Sequence, residues 1–227
     1  MISREFIQAW KSQAPWGNDA QVEQDLIISR ALCELYSEPL IQKSLAFRGG
    51  TSLQKVFFDE PQRYSEDIDL VQIPKEGMGE VANLVRSKLE PWLGKPQVDR
   101  KPGRFTMRFR FDSTIEPVQK MKLKVEINIA EHFSVFGHEA RKFSMSSDFH
   151  SGECEVTTFR IEEIMGTKLR ALHQRKKGRD LFDFACVFRK FPSLSHDNVV
   201  KSFLEYMRYG GHRTSRAEFE MQLNEKK

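Results

Sequence analysis

The sequence predicts an α+β fold, with an α/β half over residues 1–159 and a helical half over residues 160–227, the boundary falling softly near Phe159. Three observations predict it. Residues 104–112 and 122–130 alternate apolar and polar side chains with a period of two, as half-buried strands do. Residues 45–58 read as a short strand, a glycine turn and a helix. From residue 160 onward the apolar residues recur at helical spacing.

In order along the chain, Asn18 with Gln21 marks a helix start with a capping-box partner. Ile28, Ala31, Leu32 and Leu35 then continue at helical spacing until Glu38-Pro39. Leu45 to Phe47 form a strand ending at Arg48-Gly49-Gly50, and Thr51 to Phe58 form a helix closed by Pro61. Residues 63–71 read as a strand with Ile68 and Leu70 on one face and Ser65, Asp67, Asp69 and Val71 on the other. Val81, Leu84, Val85 and Leu89 mark an amphipathic helix, and a turn is expected over residues 94–102. In the two alternating strands, Phe105, Met107, Phe109 and Phe111 oppose Arg104, Thr106, Arg108 and Arg110, while Leu123, Val125, Ile127 and Ile129 oppose Lys122, Lys124, Glu126 and Asn128. Residues 132–155 carry no legible pattern, and a short strand is expected at 154–159. Ile161, Ile164, Met165 and Leu172 form a helical stripe ending in Lys176-Lys177-Gly178. Asp180 caps a helix running to Phe188 before Pro192, and Val199 to Met207 form another helix stopped by Gly210-Gly211.

With 39% hydrophobic and 30% charged residues the chain reads as soluble and globular, and it has no apolar run near the ~18 residues a membrane helix needs. No secretory hydrophobic region opens it, so a cytoplasmic location is expected. Cys33, Cys154 and Cys186 are scattered, without a zinc or disulfide pattern, and read as reduced thiols. The net charge of +4 decides nothing about partners. The histidines show no Ser/His/Asp grouping, which argues against nucleophilic hydrolase chemistry.

The chemistry concentrates in residues 46–71. Gly49, Gly50 and Thr51 at a strand-to-helix turn offer a phosphate close backbone approach, helix-start N–H groups and a hydroxyl. Asp67 and Asp69 share a strand face, where like charges repel unless a cation separates them, which points to a divalent ion rather than a solvated edge strand. Glu126 is the third carboxylate candidate, and the three together suit one or two Mg²⁺ or Mn²⁺ ions; a solvated glutamate paired with Lys122 or Lys124 is its plain alternative. Lys168 falls within or at the border of the apolar stripe. Its ammonium is expected to point inward to a triphosphate, unless it snorkels to solvent. Asp180 and Asp183 share one side of their helix with Val187, next to a core side expected from Leu181, Phe184, Ala185 and Phe188; Asp180 serves equally as a helix cap. Arg104, Arg108, Arg110, Lys122 and Lys124 line polar strand faces that suit a nucleic-acid backbone or plain solvent. Arg170, Arg175, Lys176, Lys177 and Arg179 form a denser basic cluster.

The segments F-R-G-G-T-S-L, R-Y-S-E-D-I-D-L-V, K-V-E-I-N, G-T-K-L-R-A-L and R-K-K-G-R-D-L-F-D-F occur in an order that resembles the AbiEii/AbiGii toxin family of nucleotidyltransferases, which includes the MenT toxins. The resemblance implies a polymerase-β-like nucleotidyltransferase core with a mixed sheet and a helical C-terminal region. It implies the toxin of a toxin–antitoxin or phage-abortive-infection pair, with NTP as substrate, the 3′ end of tRNA as acceptor in some members, and a cognate antitoxin as partner. On this resemblance Gly49, Gly50 and Thr51 match the nucleotide turn, Ser65, Asp67 and Asp69 the metal strand, Lys168 the lysine motif and Asp180 the last acidic motif. Ser65 matches a serine that the antitoxin phosphorylates in some members, which would set a dianion beside the metal ligands. Family members usually continue with more helices than this chain, so a short or truncated C-terminal region is expected. The site is expected to combine the acidic strands with Lys168 from the helical half. A non-catalytic nucleotide- or RNA-binding module and a metal-dependent nuclease are the competing functions.

Overall fold

The computed structural model describes residues 2–175 and 178–224. The chain forms two units, one of residues 1–133 and 138–158 and the other of residues 134–137 and 159–227.

In the first unit the order is α1 (Arg4–Trp10), α2 (Asp19–Tyr36), α3 (Pro39–Ser44), β1 (Leu45–Arg48), α4 (Gly49–Ser52) running into a π-helical turn (Leu53–Phe57), and β2 (Asp67–Gln72). Next come α5 (Gly79–Leu93), β3 (Gln97–Lys101), β4 (Arg104–Asp112), β5 (Lys120–Asn128), β6 (His138–Ser147) and β7 (His150–Phe159). The strands form one mixed sheet in the order β3-β4-β5-β2-β1-β7-β6. β2 lies parallel to β5 and antiparallel to β1, β4 is antiparallel to β3 and β5, and β1 is parallel to β7.

The period-two alternation decides which face of that sheet is covered. Ile68, Leu70, Phe105, Phe109, Leu123, Val125 and Ile127 join Ile28, Leu32 and Leu35 of α2 and Val81, Val85 and Leu89 of α5 in one core. Each such side chain contributes about 1.5–3 kcal/mol by leaving water. The intervening residues, Asp67 and Asp69 on β2, Lys124 and Glu126 on β5 and Arg108 on β4, remain half-buried on the opposite face. Burial of one side of the sheet thus sets the charged residues of three strands side by side. Asn18 caps α2 by accepting from the Ala20 amide, so the capping-box contribution expected from Gln21 is replaced by a simpler cap.

The second unit contains α6 (Ile161–Gln174), α7 (Gly178–Lys190), α8 (His196–Tyr209) and α9 (Arg216–Asn224). Glu163, fully buried in the first turn of α6, accepts from Ser134 Oγ at 2.7 Å, the Val135 and Phe136 amides at 2.9 and 3.0 Å, and Tyr206 Oη at 2.8 Å. One carboxylate therefore ties residues 134–136 and α8 to the start of α6.

Several expectations need correction. Residues 97–101 are not part of a turn but an edge strand paired with β4; its side chains are almost all exposed, so no apolar alternation marks it. The illegible stretch holds the β6–β7 pair, and β7 begins at His150 rather than near residue 154. The strand expected over residues 63–71 starts at Asp67, with residues 63–66 outside it, and its Val71 is buried. Gly178 begins α7 instead of stopping α6, and Asp180 lies within that helix rather than capping it. Lys176 and Lys177 lie outside the described residues. The facing of α7 is also reversed: Asp180, Asp183, Cys186 and Val187 are buried, while Leu181, Phe182 and Phe188 are exposed. The cause is Lys168, whose buried ammonium pairs with both aspartates.

Cys33, Cys154 and Cys186 are free thiols. No helix among the described residues is long and apolar enough to cross a membrane.

The α6–α8 crossing depends on Gly166. A methyl group there would lie 2.4 Å from Ser202 Cβ and 2.9 Å from the Val199 carbonyl oxygen and the Phe203 amide nitrogen. Gly166→Ala is expected to destabilise the second unit by about 1–3 kcal/mol, the cost of overpacking, measurable by chemical denaturation.

Candidate active site

Parallel pairing of β2 with β5 sets Asp67 opposite Lys124 and Asp69 opposite Glu126, and antiparallel pairing of β1 with β2 sets Arg48 opposite Asp69. The three carboxylates singled out in the sequence therefore occupy neighbouring positions on the polar sheet face. The ammonium of Lys124 stands among them, 2.9 Å from Asp67 Oδ2 and 3.5 Å from Glu126 Oε2. Burial works against its charge, but the hydrogen bond to Asp67 and the fields of Asp67, Asp69 and Glu126 outweigh it and hold its pKa above the ordinary lysine value. Arg104 reaches Glu126 at 3.8 Å. The plain alternative for Glu126, pairing with Lys124, is thus present in the structure.

The glycine turn lies directly against this cluster. Gly49 has φ of +89°, and a Cβ on it would lie 2.6 Å from Asp69 Oδ2. An L side chain there would be strained by that conformation and would force Asp69 to shift. A Cβ on Gly50 would meet an Arg63 guanidinium nitrogen at 2.5 Å and Ser65 Oγ at 3.2 Å. Thr51, almost fully buried, donates to the Asp67 carbonyl at 2.5 Å, and its hydroxyl lies 2.7 Å from Ser65 Oγ. The Thr51 hydroxyl is therefore engaged in fastening the turn to the start of β2 instead of being directed only to a ligand. Beneath the turn, Lys55 in the π-helical segment pairs with Asp25 of α2 at 2.5 Å and donates to Ser29 at 2.9 Å, while Trp10 donates to Asp25 at 3.0 Å. A π-helical segment in that place, anchored by a buried ion pair, fixes the direction in which the turn faces.

Burial raises the Asp69 pKa above the usual carboxylate value; Lys124 opposes that rise, Asp67 and Glu126 add to it, and Arg48 opposes it. Arg48 itself is drawn to Glu131, with Nη1 2.7 Å from Oε2, and Glu131 also accepts from Asn128 at 3.1 Å.

Among the described residues no group of three or more His, Cys, Asp or Glu side chains is gathered as a metal cage. The carboxylate oxygens of Asp67, Asp69 and Glu126 are of the chemistry that a hard divalent cation takes, and Lys124 and Arg104 offset part of their charge. Lys124 occupies the position of a counter-cation among them.

In the second unit Lys168 is buried, as expected, but its ammonium is bound 2.6 Å from Asp183 Oδ2 and 3.8 Å from Asp180 Oδ1. Asp180 also accepts two bonds of 3.1 Å from Arg175. The sequence reading missed Asp183 as the partner of Lys168. The signal was present in their both being charged residues on otherwise apolar helix faces. It named Lys124 only as a possible partner of Glu126 and missed its pairing with Asp67, because strand register is not written in either strand alone.

The mixed sheet with this turn and acidic strand has the architecture of nucleotidyltransferases. The chain is similar to MenT4, a nucleotidyltransferase toxin of Mycobacterium tuberculosis H37Rv, at 16% identity over 100% of this chain and 88% of that one, with a TM-score of 0.68. It is also similar to a candidate nucleotidyltransferase of H. pylori, at 16% identity over 92% of this chain and 93% of that one, with a TM-score of 0.56. At these identities the likeness is one of fold. No curated protein matches the chain. The family model for the AbiEii nucleotidyl transferase toxin of type IV toxin–antitoxin systems matches residues 30–227, and the chain belongs to that family.

Lys124→Met removes the ammonium that stands among the carboxylates. The variant is expected to lose about 1–2 kcal/mol in metal-free buffer, between the values for exposed and buried ion pairs, and to recover more of its melting temperature on addition of Mn²⁺ than the wild type gains. Thermal unfolding with and without Mn²⁺ measures both.

Proposed function

We propose that the chain is a divalent-cation-dependent nucleotidyltransferase that moves a nucleoside monophosphate from an NTP to the 3′ end of an RNA, with tRNA as the acceptor. It acts in the cytoplasm as the toxin of a toxin–antitoxin pair, held in check by a cognate antitoxin, and its toxicity serves phage defence by abortive infection. The observation that carries this reading is the contact of the Asp69 carboxylate with Gly49, which joins a phosphate-accepting turn to an acidic strand.

Asp67, Asp69 and Glu126 are the residues that would hold Mg²⁺ or Mn²⁺, and the ion supplies Lewis acidity toward the phosphate and neutralises the departing pyrophosphate. Lys124 yields its position among the carboxylates, and its freed ammonium pairs with a phosphate oxygen. Gly49 and Gly50 let the backbone approach the triphosphate, with Thr51 and Ser65 keeping the turn against β2. The acceptor hydroxyl oxygen forms a bond to the α-phosphorus as the bond from that phosphorus to the β-phosphate oxygen breaks, the hydroxyl proton passes to Glu126, and pyrophosphate leaves. In the second unit Asp180 and Asp183 hold the buried Lys168 ammonium.

The test is incubation of the protein with each labelled NTP and total tRNA in Mg²⁺. Labelled, lengthened tRNA and at least ~100-fold loss of product in Asp69→Asn are expected. Shortened RNA would assign a nuclease instead. An absence of product with every nucleotide, together with growth arrest retained by Asp69→Asn, would assign a binding module.

A further inference from the structure

The polar sheet face does not end at the carboxylates. Moving along β4 and β5 away from Glu126, the register pairs Arg108 with Lys124, then Arg110 with Lys122, then Asp112 with Lys120. The first and last of these pairs are neutralised: Lys124 by Asp67 at 2.9 Å, Arg108 by Asp99 at 3.8 Å, and Lys120 by Asp112 at 2.7 Å. Arg110 and Lys122 are directly opposite each other, and neither has an ion-pair partner among the described residues. Like charges directly across a ladder repel, and since both side chains are exposed an anion can reach and bridge them.

That pair opens onto a cavity of about 820 Å³ within the first unit, a size in the ~300–1,000 Å³ range of small-ligand sites. Its wall carries the N-terminal end of α2, with Asn18, Gln21 and Gln24, together with Tyr64 and Glu66 before β2 and the apolar Phe111. Gln24 donates to the carbonyls of both Glu66 and Lys122 at 3.0 Å, pinning this end of α2 across the two strands. The N-terminus of an 18-residue helix adds positive potential to the two cations. Side-chain amides and the Glu66 carboxylate, which has no salt-bridge partner among the described residues, suit base edges and ribose hydroxyls.

We propose that this cavity binds one nucleotide unit of single-stranded RNA, its phosphate bridging Arg110 and Lys122, upstream of the acceptor end that lies at Asp67, Asp69 and Glu126. The assignment rests on the transferase reading for the identity of the strand. Lys122 precedes Glu126 by four residues on β5, roughly 13 Å at the ~3.3 Å rise of a strand. That is too far for the α-phosphate of the same NTP and suited to a chain that continues along the sheet face.

The experiment is fluorescence anisotropy of a labelled single-stranded oligoribonucleotide of roughly 8–12 residues across a salt series, with the full chain, Arg110→Gln/Lys122→Gln, and Lys75→Gln/Lys95→Gln as a charge-matched control at exposed sites. The pocket variant is expected to bind at least roughly tenfold more weakly at low salt, with the salt slope reduced by about 0.7, the value for the one phosphate the pair bridges, and the control to stay near wild type. Its melting temperature without RNA should equal or exceed that of wild type, because the removed charges repel. Loss of binding no greater than in the control, or no binding by the wild type, overturns the proposal. So does a poly-glutamate peptide that competes as well as the RNA, since the surface would then be one for acidic protein. NTP transfer to tRNA is scored separately. Transfer with unchanged RNA affinity in the pocket variant leaves the enzyme and removes the pocket, whereas RNA binding lost in that variant without transfer by the wild type leaves the pocket and removes the enzyme.

Discussion

The structure depends on how closely Asp69 approaches Gly49. The carboxylate oxygen takes up the space that a side chain on residue 49 would need, so any such side chain would push Asp69 aside, and residue 49 takes a backbone angle that glycine adopts readily. That approach is possible because β1 and β2 are antiparallel neighbours with Arg48 opposite Asp69. The sheet order then requires β5 on the other side of β2, which supplies Lys124 and Glu126. A single tight contact thus couples the choice of residue, the strand register and the composition of the site.

Electrostatics follows from the same arrangement. Three carboxylates on neighbouring positions of one sheet face are not stable together in a half-buried setting without positive charge. Lys124 supplies part of it, with its pKa raised by the anions around it, and Asp69 still has a raised pKa. The remaining negative charge is what a divalent cation would balance. In the second unit the same physics is closed on itself: Lys168 is satisfied by Asp183 and Asp180, and Asp180 by Arg175.

Much of this was legible in the sequence wherever a covered face imposed a period. β4 matched its expected range, and the long α2 appeared through its apolar spacing. The aspartate pair was visible because Asp is depleted in strands, and the glycine turn because a glycine pair between a strand and a helix marks a special backbone position. What was hidden lacked a buried face or depended on pairing. β3 is exposed on nearly every residue, and β6 buries only Met145, so neither writes an alternation. α7 was read backwards because Leu181 and Phe188 look like core residues, whereas the buried Lys168 turns Asp180 and Asp183 inward. Lys124 could be set beside Asp67 only once β2 and β5 were known to be parallel and in register.

The central claim is that Lys124 holds the place of a cation among Asp67, Asp69 and Glu126 and gives it up when metal and nucleotide bind. Crystals grown with Mn²⁺ and a non-hydrolysable NTP analogue test it by anomalous scattering. The account predicts a manganese peak bonded to Asp67 and Asp69, with the Lys124 ammonium moved away from Asp67 toward a phosphate. A nucleotide bound elsewhere, or a Lys124–Asp67 ion pair left intact with no manganese at these carboxylates, would contradict it.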